Sequence, residues 1–258
     1  MKKELTEAEI KRKQRKKKIR KRRFFIFIIV LFIGGIVTLG VLLKTKLFPI
    51  KKVAVDGSEI YSKQEIIKAS GINSKTPIMS ITENSVKNNL QKRLPYIETV
   101  KIKRSFPDAV KLTVTDATEA FAFKSGNEAF IVSDSLRVLT KVKTINEKLI
   151  SVSANDLTLK TGREVSFKNS EDKELFDLLY TYITEKKIKL NSIDLTDHVH
   201  ITVFVEDRFE VNLGANENIR EKIDHLGGMI KEIGERKGKI NLEMWSKTDS
   251  KGTFIAEK

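Results

Sequence analysis

The chain has 258 residues, no cysteine and a formal net charge of +15. The missing cysteines exclude disulfides, Cys-type structural zinc and thiol catalysis. Residues 1–23 hold 13 Lys or Arg against Glu4, Glu7 and Glu9, a local net of +10, so the remaining 235 residues carry only +5. A balanced globule with a basic tail does not have the charge footprint of a nucleic-acid binder. Because an apolar segment follows the tail directly, its phosphate partners are expected to be lipid headgroups.

That segment runs from Phe24 to Leu43, twenty residues without a charge. As a helix it spans about 30 Å, the thickness of a hydrocarbon core. A cleaved signal peptide would show a shorter apolar stretch ending at small residues, whereas this one ends at Leu43-Lys44-Thr45-Lys46. It therefore reads as an uncleaved membrane anchor with Phe24 and Leu43 at its ends. The heavier basic flank precedes it, so the amino terminus is expected in the cytoplasm and residues 44–258 outside.

After a linker at 44–49, Ile50–Val55 reads as a strand, with Val53 and Val55 on one face and a turn at Asp56-Gly57. Ser62-Lys63-Gln64-Glu65 is a capping-box pattern opening a short helix that Gly71 ends. A second helix begins at Thr82, places Val86, Leu90 and Leu94 every fourth residue, and stops at Pro95. The apolar period then changes to two: Val100 and Ile102, a turn at Phe106-Pro107-Asp108, then Val110, Leu112 and Val114. The order β-α-α-β-β over residues 50–117 predicts an α+β layer of two helices on a small sheet. Val55, Leu90, Val100, Ile102 and Leu112 are its expected core.

Further on, Glu171–Lys186 is predicted helical, with Leu175, Leu178, Leu179, Tyr182 and Ile183 in one stripe. Strands are predicted at Ser192–Leu195, Val199–Val205 and Phe209–Leu213, with a turn at Asp207-Arg208. A helix over Asn216–Gly234 follows, carrying Ile219, Ile223, Leu226, Ile230 and Ile233 at helical spacing.

The first module resembles the POTRA domain of the bacterial DivIB/FtsQ division family. The matching residues are Val55-Asp56-Gly57, Tyr61-Ser62 and the run LPYIETVKIKRSFPDAVKLTV from Leu94 to Val114. At the end of that run the family usually carries a charged pair and a Pro; here Thr115-Asp116 and Ala117-Thr118 stand instead, and no role is transferred to them. Ala129–Asp134, continued by Val138-Leu139, is similar to the strand and turn that open the family's second domain. Lys239-Ile240-Asn241-Leu242-Glu243-Met244 occupies the place of its closing strand.

The resemblance implies a single transmembrane helix, the POTRA-like domain, and a second mixed, β-rich domain with helices at 118–244, followed by a tail at 245–258. It also implies a non-enzymatic scaffold at the division septum, without cofactor, joined to DivIC/FtsB-like and FtsL-like membrane proteins and helping to position septal wall synthesis. The expected partner site is Lys239, Ile240, Asn241, Leu242, Glu243, Met244 and Trp245, read as an exposed sheet edge with an aromatic beside it. On strand alternation, Ile240, Leu242 and Met244 face inward and Asn241, Glu243 and Trp245 outward. The alternative is a POTRA-containing helper of polypeptide transport or assembly; such proteins usually repeat the module, and no repeat is seen.

Two patterns invite other chemistry. Ser170-x-x-Lys173, Ser153-Ala154-Asn155 and Lys160-Thr161-Gly162 are the three strings of penicillin-binding enzymes. Their order is reversed and they are crowded into one short stretch, so Ser170 reads better as a helix cap followed by Glu171 and Asp172. His198 and His200, two apart on a predicted strand, would share a face, but neither a cysteine nor a third ligand is near in sequence, and no metal is expected.

Overall fold

The computed structural model describes residues 7–45, 48–126, 128–245 and 252–257. The first six residues of the basic tail and part of the 44–49 linker fall outside these. So does the side chain of Leu43, although its backbone is helical.

Helix α1, Glu7–Thr45, runs continuously from the basic tail through the apolar segment. Within it Lys17–Gly40 is long and apolar enough to cross a membrane, and none of that stretch is buried against the rest of the chain. Phe24, Phe25, Phe27 and Phe32 are all more than three-fifths exposed. A helix this long and apolar, uncovered by the described residues, is a candidate membrane anchor.

Strand β1 is Lys52–Asp56. Helix α2, Lys63–Ser70, opens on the expected capping box: Glu65 N donates to the Ser62 hydroxyl, Ser62 N donates to the Glu65 carboxylate, and Gly71 closes the helix. Helix α3, Glu83–Arg93, starts at Thr82, whose hydroxyl accepts from Ser85 N. Strands β2, Ile97–Ser105, and β3, Ala109–Asp116, form a hairpin, and β3 lies centrally, parallel to β1 and antiparallel to β2. Val55, Leu112 and Ile102 stand in register across the three strands. Under that row Ile66, Ile78, Leu90 and Ile97 are buried in one core. Ile102, on the outer strand β2, is only half-buried, because no further strand shields it. Gly57 has a steric reason: a Cβ there would lie 2.1 Å from the Val114 carbonyl oxygen. The chain can leave β1 beside β3 only with no side chain.

The second region is built on a nine-stranded mixed sheet. Its strands are β4 Glu119–Ser125, β5 Glu128–Ser133, β6 Val138–Val142, β7 Ile150–Ala154, β10 Leu190–Leu195, β11 Ile201–Val205, β12 Phe209–Gly214, β13 Gly238–Asn241 and β14 Thr253–Ala256. The spatial order is β14-β13-β12-β11-β10-β7-β4-β5-β6. A separate small ribbon pairs β8, Leu157–Thr158, with β9, Ser166–Phe167. Helices α4, Ser170–Glu185, and α5, Ile219–Ile233, contribute Leu175, Phe176, Leu179, Ile183, Ile223 and Leu226 to the main core. Phe176 meets Phe121 at 5.4 Å and Tyr180 at 6.1 Å between ring centroids. Aromatic pairs of this kind add about 0.5–1.5 kcal/mol each beyond area burial.

Several expectations are corrected here. Strands β4 and β7 were not foreseen. The N-cap of α4 is Asn169, whose side chain accepts from Glu171 N, and Ser170 is the first helical residue. Helix α5 starts three residues later than Asn216, because Asn218 takes a left-handed conformation. Val199 is exposed on the loop before β11, and His198 and His200 precede that strand. The residues after Trp245 include strand β14.

The two regions meet directly. Ala117 N donates to Tyr96 O at 2.7 Å, and the Tyr96 hydroxyl donates to Glu119 at 2.7 Å. The Arg137 guanidinium, from the β5–β6 turn, is 4 % exposed; it donates to Ile97 O at 2.5 Å and pairs with Glu98, both on β2.

Candidate partner-binding edge

The candidate segment begins on β13, which lies parallel to β12 and antiparallel to β14. The expectation that Lys239–Met244 forms the sheet edge is therefore corrected: β14 covers β13, and β14 is the outermost strand at this end. Gly238 makes that pairing possible, since a Cβ there would lie 2.1 Å from Ile255 O. Four residues pair, Gly238 with Ala256 through Asn241 with Thr253.

The strand also ends earlier than expected. Asn241 Oδ1 accepts from Glu243 N at 2.8 Å, and this Asx turn bends the chain out of the ladder. Ile240 and Leu242 are fully buried and so are core, not contact surface. Beyond the turn the alternation fails. Met244 is 84 % exposed, whereas Trp245 folds back onto the main core with its ring 6.1 Å from that of His225. The Trp245 indole N–H is buried and has no hydrogen-bond partner among the described residues. What remains on the surface is Lys239, Asn241, Glu243 and Met244.

Charges knit this surface to its neighbours. Lys239 Nζ is 2.9 Å from the Glu210 carboxylate on β12. Glu243 accepts from Asn212 Nδ2 at 3.3 Å and lies 3.8 Å from His200 Nε2. His200 is bonded more closely to Asp197, at 2.9 Å; that bond and the carboxylate charge raise the imidazole above its ordinary value, with Glu243 adding in the same direction. Behind them Lys222, from the first turn of α5, is 2 % exposed and donates to Leu213 O at 2.5 Å. Burial holds its ammonium below the usual lysine range. It pins the end of β12, against whose Gly214 the Glu243 backbone packs closely.

On the other side of the sheet edge, Ile255 is 67 % exposed beside Lys239, and Phe254 turns inward to meet Phe209 at 6.1 Å. Phe204, Arg208, Glu210, Lys239 and Ile255 line a shallow groove across the outer sheet face. Strand β14 and this groove were missed in the sequence. The only signal was a four-residue β-prone run, Thr253-Phe254-Ile255-Ala256, too short to separate from a tail.

The decoys are dispersed. Ser170 opens α4, Ser153 lies on β7, and Gly162 packs against the backbone of Gln91 and Lys92 on α3. His198 Nε2 lies 2.8 Å from the buried carboxylate of Asp172, and His200 is held by Asp197. Among the described residues no group of three His, Cys, Asp or Glu is arranged to hold a metal ion.

Comparison with known proteins agrees with this architecture. Residues 48–116 match the FtsQ-type POTRA domain. The cell division protein DivIB of Clostridium botulinum strain Hall is 28 % identical over 240 residues, which is 91 % of this chain and 90 % of that protein. The DivIB of Brevibacillus brevis is 31 % identical over 145 residues, and that match spans 54 % of each chain. The FtsQ of Streptomyces griseus is 28 % identical over 86 residues, 33 % of this chain and 41 % of that one. An apolar N-terminal helix, a POTRA sheet and a longer β-rich region thus occur together in one α+β chain. The chain carries an FtsQ-type POTRA domain and is homologous to cell division proteins of the DivIB/FtsQ type over most of its length.

Proposed function

We propose that this protein is a non-enzymatic, membrane-anchored scaffold of the division machinery, which joins DivIC/FtsB-like and FtsL-like membrane proteins and helps position septal wall synthesis. The observation that carries the reading is its likeness to DivIB over nine-tenths of both chains, in a molecule whose ectodomain ends in an open sheet edge. In this reading the basic tail rests on anionic lipid in the cytoplasm, α1 spans the membrane once, and residues 48–258 stand outside at the septum.

The partner docks at the β13–β14 end of the sheet. A partner strand takes the place of β14 along β13, with Lys239 and Asn241 facing it on the outer side and Glu243, Met244 and Trp245 beyond the strand's end. The support is physical. Strand addition draws on backbone hydrogen bonds, and β14 offers only four paired residues with three exposed side chains, which makes it a weak occupant.

Two measurements test this. A fluorescent fusion of the full chain should concentrate at mid-cell in dividing cells; uniform membrane staining would remove the septal role. Photo-crosslinkers at Lys239, Asn241 and Met244 should capture the DivIC-like protein. Capture only from residues 50–117 would move the site to the POTRA domain.

A further inference from the structure

One end of the POTRA domain carries an apolar, basic surface that the division role does not use. Phe48 and Phe106 are 39 % and 61 % exposed, and their rings meet edge to face with centroids 6.3 Å apart. Met79, the residue after Ile78, whose backbone bonds to Phe48, is 47 % exposed. These residues are built in. Phe48 O accepts from Ile78 N at 3.0 Å, Pro49 bridges to Pro77, and Arg104 donates to Ile78 O and Ile81 O, clamping the loop that carries Met79. Lys51 N donates to Asp108 O, which ties Phe48 to the turn that carries Phe106.

Basic residues outnumber acidic ones at this end. Lys51, Lys52, Lys103 and Lys111 are exposed, and Lys103 stands directly opposite Lys111 across the β2–β3 ladder. Like charges placed directly opposite destabilise a sheet, and a facing anionic surface would relieve that repulsion. Lys51 reaches Asp108 and Lys111 reaches Asp56, but Lys103 has no acidic partner among the described residues.

Position identifies what meets this surface. Phe48 is three residues beyond Thr45, the last residue of α1. Three residues span at most about 11 Å, so this end of the domain stays at the mouth of the membrane helix. Aromatic side chains flanked by basic ones are what a membrane–water interface selects.

We infer that the Phe48–Phe106 end of the POTRA domain seats in the outer membrane interface, its two rings at the acyl boundary and Lys51, Lys52 and Lys103 on anionic phospholipid headgroups. The domain is then held against the bilayer rather than swinging on its linker. This rests on α1 spanning the membrane, not on the partner site.

Because the chain has no cysteine, Ser105→Cys gives a single labelling position next to Phe106, and Ser105 is exposed. The full chain, labelled there with an environment-sensitive fluorophore, is reconstituted in nanodiscs containing phosphatidylglycerol and nitroxide-labelled lipid. The expected result is blue-shifted emission that the lipid nitroxide quenches and aqueous iodide does not. A label at Ile255→Cys should behave as if in water. Phe48→Ser with Phe106→Ser, or replacing phosphatidylglycerol by phosphatidylcholine, should each return the Ser105 label to water-like emission. Water-like, iodide-quenched emission in anionic nanodiscs overturns the inference, as does shielding that appears only when a partner protein is added. Equal quenching in phosphatidylcholine overturns the headgroup assignment. Failure of the chain to incorporate into nanodiscs at all would instead overturn the anchor.

Discussion

At the residue scale, the POTRA core rests on side chains whose burial followed directly from period-two and period-four spacing. Leu112 is fully buried at the centre of the middle strand, between Val55 and Ile102 in register. Leu112→Ala should destabilise the folded region, residues 48–258, by about 2–5 kcal/mol, because both neighbouring strands fix the cavity walls. Chemical denaturation would measure this, and near-normal stability would contradict the strand register. A second residue prediction concerns His200, whose imidazole is raised above 6.5 by Asp197 first and Glu243 last. For a group raised in the folded state, the contribution is fully present below the unfolded value and disappears as pH climbs through the raised one. The His200–Asp197 and His200–Glu243 contacts should therefore hold below pH 6.5 and fade as pH rises through the raised imidazole value. An NMR titration should show a His200 midpoint above 6.5, falling towards it in Asp197→Asn. An unchanged midpoint in that variant would show that Asp197 is not the cause. Lys222 was not legible at this scale: a lysine in the first turn of an amphipathic helix gives no sign that it will be buried against carbonyls.

At the element scale, what the sequence revealed depended on how many faces an element buries. The POTRA strands bury one face and alternate, and the capping box and Thr82 cap announced both helices. Strand β4 was not legible because it is buried on both sides: Phe121 and Phe123 face the helices, while Ala122 faces a second small core with Ile131 and Leu139. A doubly covered strand has no alternation to read. The closing segment misled for a different reason. Alternation was extended through Met244, but the Asn241 side chain turns the backbone, and register arguments stop where the ladder stops. Edge status was equally illegible, since a strand's neighbours are set by a segment arriving from elsewhere, here β14. This yields an element prediction. Removing residues 252–258 should leave the ectodomain folded, because β14 has three exposed side chains and only Phe254 reaches inward. If a partner strand replaces β14, the truncated chain should bind the DivIC-like protein more tightly. Gly238→Ala should weaken binding in the full chain and in the truncated one, since its Cβ would obstruct any strand laid on β13. Weaker binding by the truncated chain would mean that the partner adds to β14 instead.

At the scale of the whole molecule, the question is whether the POTRA domain and the nine-stranded sheet act as one body, because the proposed scaffold would transmit position only through a stiff joint. The joint is compact. Arg137 leaves the β5–β6 turn, reaches β2 of the POTRA sheet, and there donates to Ile97 O while pairing with Glu98. Ser133 and Ser135 hold it from its own side: Arg137 N donates to the Ser133 hydroxyl at 3.1 Å, and Ser135 donates to Glu98 at 3.1 Å. Arg137 is almost completely buried whereas the Glu98 side chain is 23 % exposed, so solvent moderates the charge interaction and the hydrogen bonds carry more of it. Removing a charged donor from such a set costs about 1.5–3 kcal/mol for each bond lost, and it leaves the Ile97 carbonyl without its guanidinium partner. Neither core would be opened, since Leu112 and Phe121 lie in separate clusters that do not include Arg137. Arg137→Ala should therefore loosen the joint more than it unfolds either domain. Spin labels at Lys101→Cys and Asp224→Cys, one in each region, would report the distance between them. A narrow distribution in the parent chain should broaden in Arg137→Ala, while Leu112→Ala made in the same background should still show its own stability loss. A distribution that stays narrow would show that the contacts left in that variant, among them Ala117–Tyr96, Tyr96–Glu119, Ser135–Glu98 and Gly162 on α3, are enough to hold the two regions in line.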